Sequence, residues 1–201
     1  MNENMFSEVY FADVTDVNIA KNIGLLPAIR QKKVNNYMFE QDKKLSIGAW
    51  LLLTKALAEH DIDVSKFEYA VDPSGKPILK KCPINFSISH SGKYVAVVIS
   101  SSKVGIDIQE ETTINQLVLT FMSNSDDISY YSSKENSLDA YFEIWTSKEA
   151  TLKYRGIGIT SSMKEIKIDY DNTYIFNDIN NYIIAVVSDT PVVSMKELKI
   201  K

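Results

Sequence analysis

A predicted helix in the C-terminal part of the chain carries two charged residues on its apolar side. The helix spans roughly residues 136–155, and its apolar residues recur at helical spacing, as Leu138, Tyr141, Phe142, Trp145 and Leu152. Glu149 lies four residues after Trp145, hence on this stripe, and Lys153 follows one turn later on the same side. An inward carboxylate or ammonium group is costly unless it binds something charged. The spacing leaves open an alternative, an exposed ion pair at the edge of the stripe.

A second carboxylate interrupts an apolar strand. Asp107 lies in the segment Val-Gly-Ile-Asp-Ile, residues 104–108, and is its one polar side chain. Such a carboxylate is either held by structural hydrogen bonds or ligates a cation. Mg²⁺ commonly takes one or two carboxylates and completes its shell with phosphate oxygens and water. Together with Glu149 and Lys153, Asp107 therefore indicates a metal-assisted, phosphoryl-type transfer or hydrolysis of a small pyrophosphate.

Basic residues cluster in two predicted helices of the N-terminal part. The cluster consists of Arg30, Lys32, Lys33, Lys43 and Lys44. A cluster of this kind is usually a solvated surface. In an otherwise acidic chain it also allows a second interpretation, an anionic ligand or partner.

Several other chemistries are excluded by residue type and spacing. The chain has neither a Walker-type phosphate loop nor a strand-linked Gly-x-Gly-x-x-Gly turn. His60 and His90 are the two histidines and Cys82 the one cysteine, too few for a typical zinc site. Ser89 and His90 are neighbours on a strand, so their side chains point to opposite faces and cannot form a nucleophile–base pair.

Composition describes an ordinary globular protein. The 201 residues are 45% hydrophobic and 24% charged, with a net charge of -4. A nucleic-acid partner is not expected, because affinity for the phosphate backbone needs a basic surface. One cysteine fits a reducing compartment. With no basic-then-apolar leader and no apolar run of the roughly 20 residues that span a bilayer, we expect a soluble, cytoplasmic protein without a membrane partner.

Periodicity and turn residues predict the elements that position these side chains. Helices are expected to start near residues 25–27, to run from an Asp42 cap to about Glu59, to form briefly near residues 115–122, and to end at Gly156. Residues 72–77 form a turn, and residues 111–135 are otherwise irregular. Strands are predicted at residues 5–14, 84–89, 94–99, 104–108, 162–168, 174–176, 182–187 and 192–198. The strand at residues 84–89 alternates apolar and polar residues, so we expect it to be half-buried, with its polar face in water.

Two segments of the chain have similar sequences. Residues 94–100 (Tyr-Val-Ala-Val-Val-Ile-Ser) resemble residues 182–188 (Tyr-Ile-Ile-Ala-Val-Val-Ser), and each follows a long helix and further extended segments. The repeat predicts two similar halves, residues 1–102 and 103–201. A coincidence between two valine-rich strands is the alternative. A cleft between the halves would receive Asp107 from one side and His90 with the basic cluster from the other.

Three motifs resemble the 4′-phosphopantetheinyl transferases of the Sfp type. They are residues 86–91 (Phe-Ser-Ile-Ser-His-Ser), 104–108 (Val-Gly-Ile-Asp-Ile) and 145–153 (Trp-Thr-Ser-Lys-Glu-Ala-Thr-Leu-Lys), in the family's order. Gly75, Lys76 and Pro77, and Arg30 with Lys33, match further family positions. The resemblance covers residues 25 to 160 and implies a pseudo-twofold pair of α+β halves, each a long helix packed on an antiparallel sheet, with the active site between them.

The resemblance also implies a reaction and a set of site residues. Phosphopantetheine would move from coenzyme A to a serine of a carrier protein, with release of adenosine 3′,5′-bisphosphate. Asp107 and Glu149 would hold Mg²⁺, or Mn²⁺ in its place, and Glu149 would also be the base for the serine. Lys153 and His90 would bind the pyrophosphate and stabilise the leaving phosphate. The 3′-phosphate would be bound by Arg30, Lys33, Lys44 and Ser89, and the adenine by Gly75, Lys76 and Pro77. The resemblance thus implies that the N-terminal half contacts the adenine and 3′-phosphate of coenzyme A. The C-terminal half would contain the metal site and the catalytic helix.

The chain departs from the family pattern at two places. Many relatives have a second acid two residues after the motif aspartate, where this chain has Gln109, which can still offer a neutral oxygen to the metal or hold a metal-bound water. We therefore expect weaker Mg²⁺ affinity. The family's Phe-Ser-x-x-Glu segment before the long helix becomes Phe121-Met-Ser123-Asn-Ser-Asp126, with a shorter acid.

The expected partner is an acyl or peptidyl carrier protein, in polyketide or nonribosomal peptide synthesis or in fatty acid synthesis. Carriers are generally acidic, so an acidic enzyme cannot rely on long-range attraction. We expect docking on an apolar patch with a few lysines within residues 111–135, unless that segment is a surface connection without a partner. Two halves in one chain predict a monomer. A coenzyme A-binding protein that has lost turnover is the main alternative, because Gln109 removes a charge from the metal site.

Overall fold

Six α-helices and nine β-strands form the part of the chain that the structure, a computed structural model, describes, namely residues 5–158 and 162–200. The helices are α1 (Ile19–Asn22), α2 (Ala28–Asn35), α3 (Glu40–Ala58), α4 (Gln116–Met122), α5 (Ser125–Ser133) and α6 (Leu138–Arg155). The strands are β1 (Ser7–Asp13), β2 (Glu68–Val71), β3 (Pro77–Lys80), β4 (Asn85–Ser91), β5 (Tyr94–Ser100), β6 (Val104–Glu110), β7 (Thr173–Ile179), β8 (Tyr182–Ser188) and β9 (Val192–Glu197). The predicted α+β class is confirmed.

The largest sheet joins the two ends of the chain. Its strand order is β4-β5-β1-β9, with β1 antiparallel to β5 and parallel to β9. The last strand therefore belongs to the sheet of the first, and Ile200 is buried in the core beneath α3. The predicted division at residues 102 and 103 stays a prediction, but β9 crosses it.

A second sheet, of order β6-β8-β7, is antiparallel throughout and is covered by α6. Helix α3 covers β5 of the first sheet in a comparable way. The two segments of similar sequence form β5 and β8, and each is a central strand of its sheet. The rings of their first residues, Tyr94 and Tyr182, contact edge to face with 5.0 Å between their centroids. A symmetry relation between the halves stays a prediction.

The two sheets pack on each other through β4, β5 and β6. Val98, Ile106 and Val186 belong to the buried cluster between them. The polar face of β4, predicted to face water, is consequently buried as well: the Ser87 hydroxyl accepts a hydrogen bond from the Ile106 amide at 3.2 Å. The half-buried strand predicted from alternation is therefore covered on both faces, and its serines point at the second half of the molecule.

The ends of α6 follow from its sequence. The Ser137 side chain accepts a hydrogen bond from the Ala140 amide at the start, and Gly156 ends the helix with a φ of 70°. The predicted helix is confirmed to within two residues. Helix α3 starts before its predicted cap, so Asp42 lies in the first turn, where a carboxylate also favours the helix dipole.

Two segments differ from the predictions. Residues 111–135 contain α4, as expected, but also α5, which Asn124 and Asp127 start with a reciprocal capping box. The strand predicted at residues 162–168 is wrong, because Met163–Glu165 form a 3-10 turn instead. No helix within residues 5–158 and 162–200 combines the length and apolarity needed to cross a membrane.

Candidate active site

Strands β4 and β6 and helix α6 meet at a group of buried polar side chains. Asp107 on β6 is 2% exposed and Glu149 on α6 is 8% exposed. Gly105 allows this approach, since a Cβ at that position would clash with the backbone oxygen of Ala150 and the backbone nitrogen of Tyr154. The glycine two residues before Asp107 thus lets α6 lie directly on the strand, which brings the two carboxylates to one place.

The Asp107 carboxylate accepts three hydrogen bonds. Its Oδ1 accepts hydrogen bonds from the Ser89 hydroxyl at 2.6 Å and the Lys153 Nζ at 2.7 Å. Its Oδ2 accepts from the Gln109 Nε2 at 3.0 Å. Ser89 and Lys153 also contact each other at 2.8 Å. Of the two alternatives predicted for this aspartate, the structure confirms the hydrogen-bonded one, and the role of ligand to a metal ion stays a prediction.

The Glu149 carboxylate has no hydrogen-bond donor among the residues that the structure describes. Burial and the negative charge of Asp107 raise its pKa, while Lys153 opposes that shift. An inward position, expected from its place on the stripe, is confirmed, and the exposed ion pair is excluded. A buried carboxylate without a donor, facing a second carboxylate, fits a hard cation such as Mg²⁺.

Gln109 occupies the position where relatives have an acid. Its amide nitrogen, rather than its oxygen, faces Asp107, and the ligand role stays a prediction. Over residues 5–158 and 162–200, no group of three or more His, Cys, Asp and Glu side chains has a metal-binding arrangement. A divalent ion here would consequently have Asp107 and Glu149 as its carboxylate ligands and need oxygens from elsewhere.

His90 is exposed beside this group. Exclusion of water by the surrounding protein, together with the charges of Lys153 and Lys33, lowers its pKa, and the carboxylates of Asp107 and Asp42 oppose this. The imidazole is therefore neutral at pH 7 and can donate or accept one hydrogen bond. Because the charge of Lys33 contributes to this lowered pKa, Lys33 on α2 lies within electrostatic reach of His90.

A cavity of about 240 Å³ opens next to Glu149 and Lys153. The turn predicted at residues 72–77 contributes Ser74, Gly75, Lys76 and Pro77 to its wall, and the end of α6 contributes Gly156, Ile157 and Gly158. Gly75 has a φ of 90°, which explains a glycine in this turn. The turn and α6 thus line one cavity.

The Lys76 side chain connects this turn to α6. Its Nζ donates to the backbone oxygens of Val104 at 2.9 Å and Lys153 at 3.0 Å. Burial lowers its pKa to about 8. The ammonium group therefore stabilises the position of the turn, and the surfaces left for a ligand are the backbone of the turn and the ring of Pro77.

Two predicted phosphate ligands, on α2 and α3, are already paired with other parts of the protein. The Arg30 guanidinium donates to the Ser46 backbone oxygen at 2.7 Å and to the Tyr69 hydroxyl at 3.3 Å, but its buried Nε has no partner. Lys44 donates to the Thr15 backbone oxygen at 2.9 Å and lies 3.7 Å from the Glu40 carboxylate. The structure thus brings together Ser89, Asp107, Glu149 and Lys153, and His90 lies within electrostatic reach of them, whereas Lys44 is directed at another loop.

Lys148 is a residue that sequence reasoning left without a role. It is completely buried, and its Nζ contacts the Asp127 Oδ2 at 2.6 Å and the backbone oxygens of Met122 at 2.7 Å and Met163 at 2.9 Å. Three acceptors satisfy the three N–H groups, which fixes the α4–α5 corner to α6 beside Glu149. The signal available in the sequence was a lysine within the apolar stripe, next to Glu149.

Comparisons with known proteins agree on one family. A model of the N-terminal part of 4′-phosphopantetheinyl transferases matches residues 14–103, and a model of the 4′-phosphopantetheinyl transferase superfamily matches residues 103–183. The two matches are consecutive and together cover most of the chain.

Individual relatives are also named as phosphopantetheinyl transferases. The chain is 25% identical over 145 residues to the 4′-phosphopantetheinyl transferase Sfp of Bacillus subtilis (strain 168), covering 71% of this chain and 65% of that protein. It is 30% identical over 147 residues to the 4′-phosphopantetheinyl transferase gsp of Aneurinibacillus migulanus, covering 72% and 62%. It is also 24% identical over 157 residues to a rat L-aminoadipate-semialdehyde dehydrogenase-phosphopantetheinyl transferase, covering 69% and 51%. The matches thus span between half and two thirds of the length of these relatives.

Proposed function

Because the chain belongs to the 4′-phosphopantetheinyl transferase superfamily, and is similar to its Sfp-type members, we propose that it transfers 4′-phosphopantetheine from coenzyme A to a serine of an acyl or peptidyl carrier protein with Mg²⁺ as cofactor. The observation that carries this proposal is the convergence of buried Asp107 with Glu149 and Lys153, two residues that line a cavity together with residues 74–77. A buried acid pair with an adjacent ammonium group suits a pyrophosphate and its metal ion.

Coenzyme A would bind along the cavity. The adenine lies against residues 75–77, whose backbone Lys76 holds in place. Lys33 and the unpaired Arg30 Nε provide positive charge and a donor for the 3′-phosphate. Lys44 joins them only by leaving the Thr15 backbone oxygen, a small cost for a partly exposed ammonium group.

The metal ion, when bound, neutralises charge on the pyrophosphate and polarises the phosphorus that is attacked. Asp107 and Glu149 would hold it, and Mn²⁺ could take its place. Lys153 would donate to a pyrophosphate oxygen after turning away from Asp107. Its side chain is 29% exposed, so it has room for this movement.

The transfer itself breaks one P–O bond and forms another. The serine oxygen of the carrier attacks the phosphorus that bears the pantetheine, and its proton passes to Glu149, directly or through water. In the protein without a metal ion, burial and the charge of Asp107 raise the pKa of Glu149, and a bound divalent ion would oppose that shift. The leaving group is adenosine 3′,5′-bisphosphate, whose new phosphate oxygen is stabilised by Lys153 and by neutral His90 as a hydrogen-bond donor.

The test is incubation with coenzyme A, Mg²⁺ and a panel of apo carrier proteins, followed by intact mass measurement. A mass gain of one phosphopantetheine on a carrier, absent with the Glu149→Gln variant, supports the transferase. Binding of coenzyme A without transfer to any carrier favours the non-catalytic binding protein, the second candidate, which the donor orientation of Gln109 supports. Breakdown of coenzyme A without carrier modification identifies a pyrophosphate hydrolase instead.

All proposed site residues come from one chain, so we propose that a monomer is the active form. Size-exclusion chromatography of the active protein, with light scattering, gives the mass directly. A dimer whose dissociation abolishes transfer would contradict this part of the proposal.

A further inference from the structure

Two edge strands of different sheets run side by side at the candidate active site. Strand β4 lies at the edge of the sheet β4-β5-β1-β9, and β6 lies at the edge of the sheet β6-β8-β7. An edge strand presents backbone N–H and C=O groups that its own sheet does not pair. Where β4 packs on β6, such groups need partners on the facing strand.

The serine hydroxyls of β4 are such partners. Ser87 and Ser91 are four residues apart and lie on one face of the strand, because side chains alternate between its faces. The Ser87 hydroxyl accepts a hydrogen bond from the Ile106 amide at 3.2 Å. The Ser91 hydroxyl accepts one from the Glu110 amide at 3.0 Å. Because these two amides are also four residues apart, β4 and β6 run in the same direction along this contact.

Ser89 lies midway between these two serines on β4. Its hydroxyl donates to the Asp107 Oδ1 at 2.6 Å and contacts the Lys153 Nζ at 2.8 Å. A shift of β4 by one residue would turn its serine face away from β6. A wider separation of the strands would move Ser89 and its neighbour His90 away from Asp107. The hydrogen bonds of the two outer serines therefore set both the register and the distance at which β4 meets the carboxylate.

The end of β4 is attached to both sheets by further contacts. The Gln41 side chain on α3 donates to the Gly92 backbone oxygen at 2.8 Å. On the other side, a Cβ at Gly92 would overlap the Tyr182 hydroxyl and the Glu110 carboxylate. The hairpin that follows Ser91 thus lies directly on β6 and β8. Removing the Ser91 hydroxyl leaves these contacts in place, so a variant at this position is expected to fold.

We propose that Ser87 and Ser91 are positioning residues for the transfer reaction. Their hydroxyls hold β4 against β6, so that Ser89 and His90 stay beside Asp107 while coenzyme A is bound. This inference rests on the proposed function, since it assigns roles in the same reaction. The two serines act through their neighbours on β4, and phosphoryl transfer depends strongly on how accurately such groups are placed.

The first measurement is transfer by a variant that has lost one of the two hydrogen bonds. Ser91→Ala deletes the acceptor of the Glu110 amide, whose hydrogen exchange should become faster. We expect kcat/KM for coenzyme A to fall by about tenfold, less than the roughly 10² that a misplacement of about 1 Å can cost. Ser91→Thr keeps the hydroxyl on a side chain that suits a strand, so it should restore most of the rate. Ser87→Ala deletes the other hydrogen bond and should lower the rate as well.

Ser101→Ala is the matched control. The Ser101 hydroxyl accepts a hydrogen bond from the Phe6 amide at 3.0 Å, so this change also deletes an acceptor between two distant segments. Ser101 follows β5 at the end opposite to the β4–β5 hairpin, and this variant should keep the wild-type rate. Thermal unfolding of all variants checks that each is folded.

A double-variant cycle separates positioning from a general loss of stability. If Ser91 acts through Ser89, Ser91→Ala should have little further effect once Ser89 is replaced by alanine. A residue with a merely structural role would give the same loss in both backgrounds. The cycle is measured as kcat/KM and, by calorimetry with Mg²⁺ present, as affinity for coenzyme A.

The outcomes separate this inference from the proposed function. A loss of rate that Ser91→Thr reverses, and that the cycle shows to depend on Ser89, supports the inference. A wild-type rate in Ser91→Ala, or an equal loss in both backgrounds, overturns it while transfer itself stands. If the wild-type chain modifies no carrier, the transferase fails and the affinity for coenzyme A decides the positioning role. Affinity losses that depend on Ser89 then support that role, and equal or absent losses overturn it.

Discussion

At the scale of single residues, Lys153 takes the place of a cation at Asp107. Its Nζ lies 2.7 Å from the Asp107 Oδ1, the same carboxylate that is proposed to hold Mg²⁺. An ammonium group and a divalent ion compete for one carboxylate, so binding of the ion requires Lys153 to move. The pyrophosphate of coenzyme A offers Lys153 a second anionic partner, which would couple binding of the metal to binding of coenzyme A.

Replacing this lysine tests the competition. We expect Lys153→Met to tighten Mg²⁺ binding in the absence of coenzyme A by about tenfold, which corresponds to 1.4 kcal/mol. Transfer should fall by about 10² or more, because the leaving phosphate loses a donor. Isothermal titration calorimetry gives the Mg²⁺ affinity, and Lys66→Met, at an exposed site, serves as the control. Unchanged or weaker Mg²⁺ binding would contradict the competition.

Glu149 is expected to destabilise the fold at neutral pH. Its pKa in the folded protein is raised above 4.5, so the neutral form is favoured by folding and the ionised form is penalised. The stabilisation of the neutral form is fully present below pH 4.5 and is lost as the pH rises through the folded-state pKa. Glu149→Gln removes this loss.

At pH 7 the free energy of unfolding of the Glu149→Gln variant should therefore exceed that of wild type by about 1 kcal/mol, which raises its Tm. Transfer should be abolished. Below pH 4.5 the two proteins should have the same stability. Calorimetric unfolding across this pH range gives the measurement. A Tm difference that is independent of pH would show that the carboxylate is not penalised by burial.

At the scale of elements, Gly105 determines how closely α6 approaches β6. A Cβ there would clash with the backbone of Ala150 and Tyr154, both on α6. We expect Gly105→Ala to cost about 1–3 kcal/mol of unfolding free energy and to separate Asp107 from Glu149, with loss of transfer. Urea unfolding measures the cost. Gly24→Ala, where a Cβ meets nothing within 4 Å, is the matched control and should be close to neutral.

The Lys148–Asp127 pair joins three elements beneath the site. Removing one partner leaves a buried charge unpaired, so Lys148→Met should cost about 3–5 kcal/mol. Adding Asp127→Asn to that variant should restore part of the loss, because the uncompensated carboxylate is gone. A double variant less stable than the single one would show that the pair is not coupled. Urea unfolding of the single and double variants provides the comparison.

At the scale of the whole molecule, local sequence patterns predicted the helices and strands. They did not predict the contacts between residues that are distant in sequence. The ends of α6 and the positions of Asp107 and Glu149 could be predicted because caps and periodicity are local. The contact between Lys153 and Asp107 spans 46 residues, and that between Lys148 and Asp127 depends on a helix, α5, that periodicity missed.

The pairing of the first and last strands could not be predicted from the sequence either. Strand β9 pairs in parallel with β1, and buried hydroxyls of Ser7, Ser100, Ser188 and Thr190 contact one another where the two sheets meet. A serine or threonine in a sequence carries no sign that it will be buried against another hydroxyl. Such contacts depend on the completed tertiary structure, which also explains why the serine face of β4 was expected in water.

The central claim is that Asp107 and Glu149 share one divalent ion in the crevice between β6 and α6. The most direct measurement is X-ray diffraction from crystals grown with coenzyme A and Mn²⁺, with data collected for anomalous scattering. We predict one anomalous peak in bonding contact with both carboxylates and a coenzyme A pyrophosphate oxygen. A peak that touches neither acid, or clear density for coenzyme A with the two carboxylates directed apart, would contradict the account.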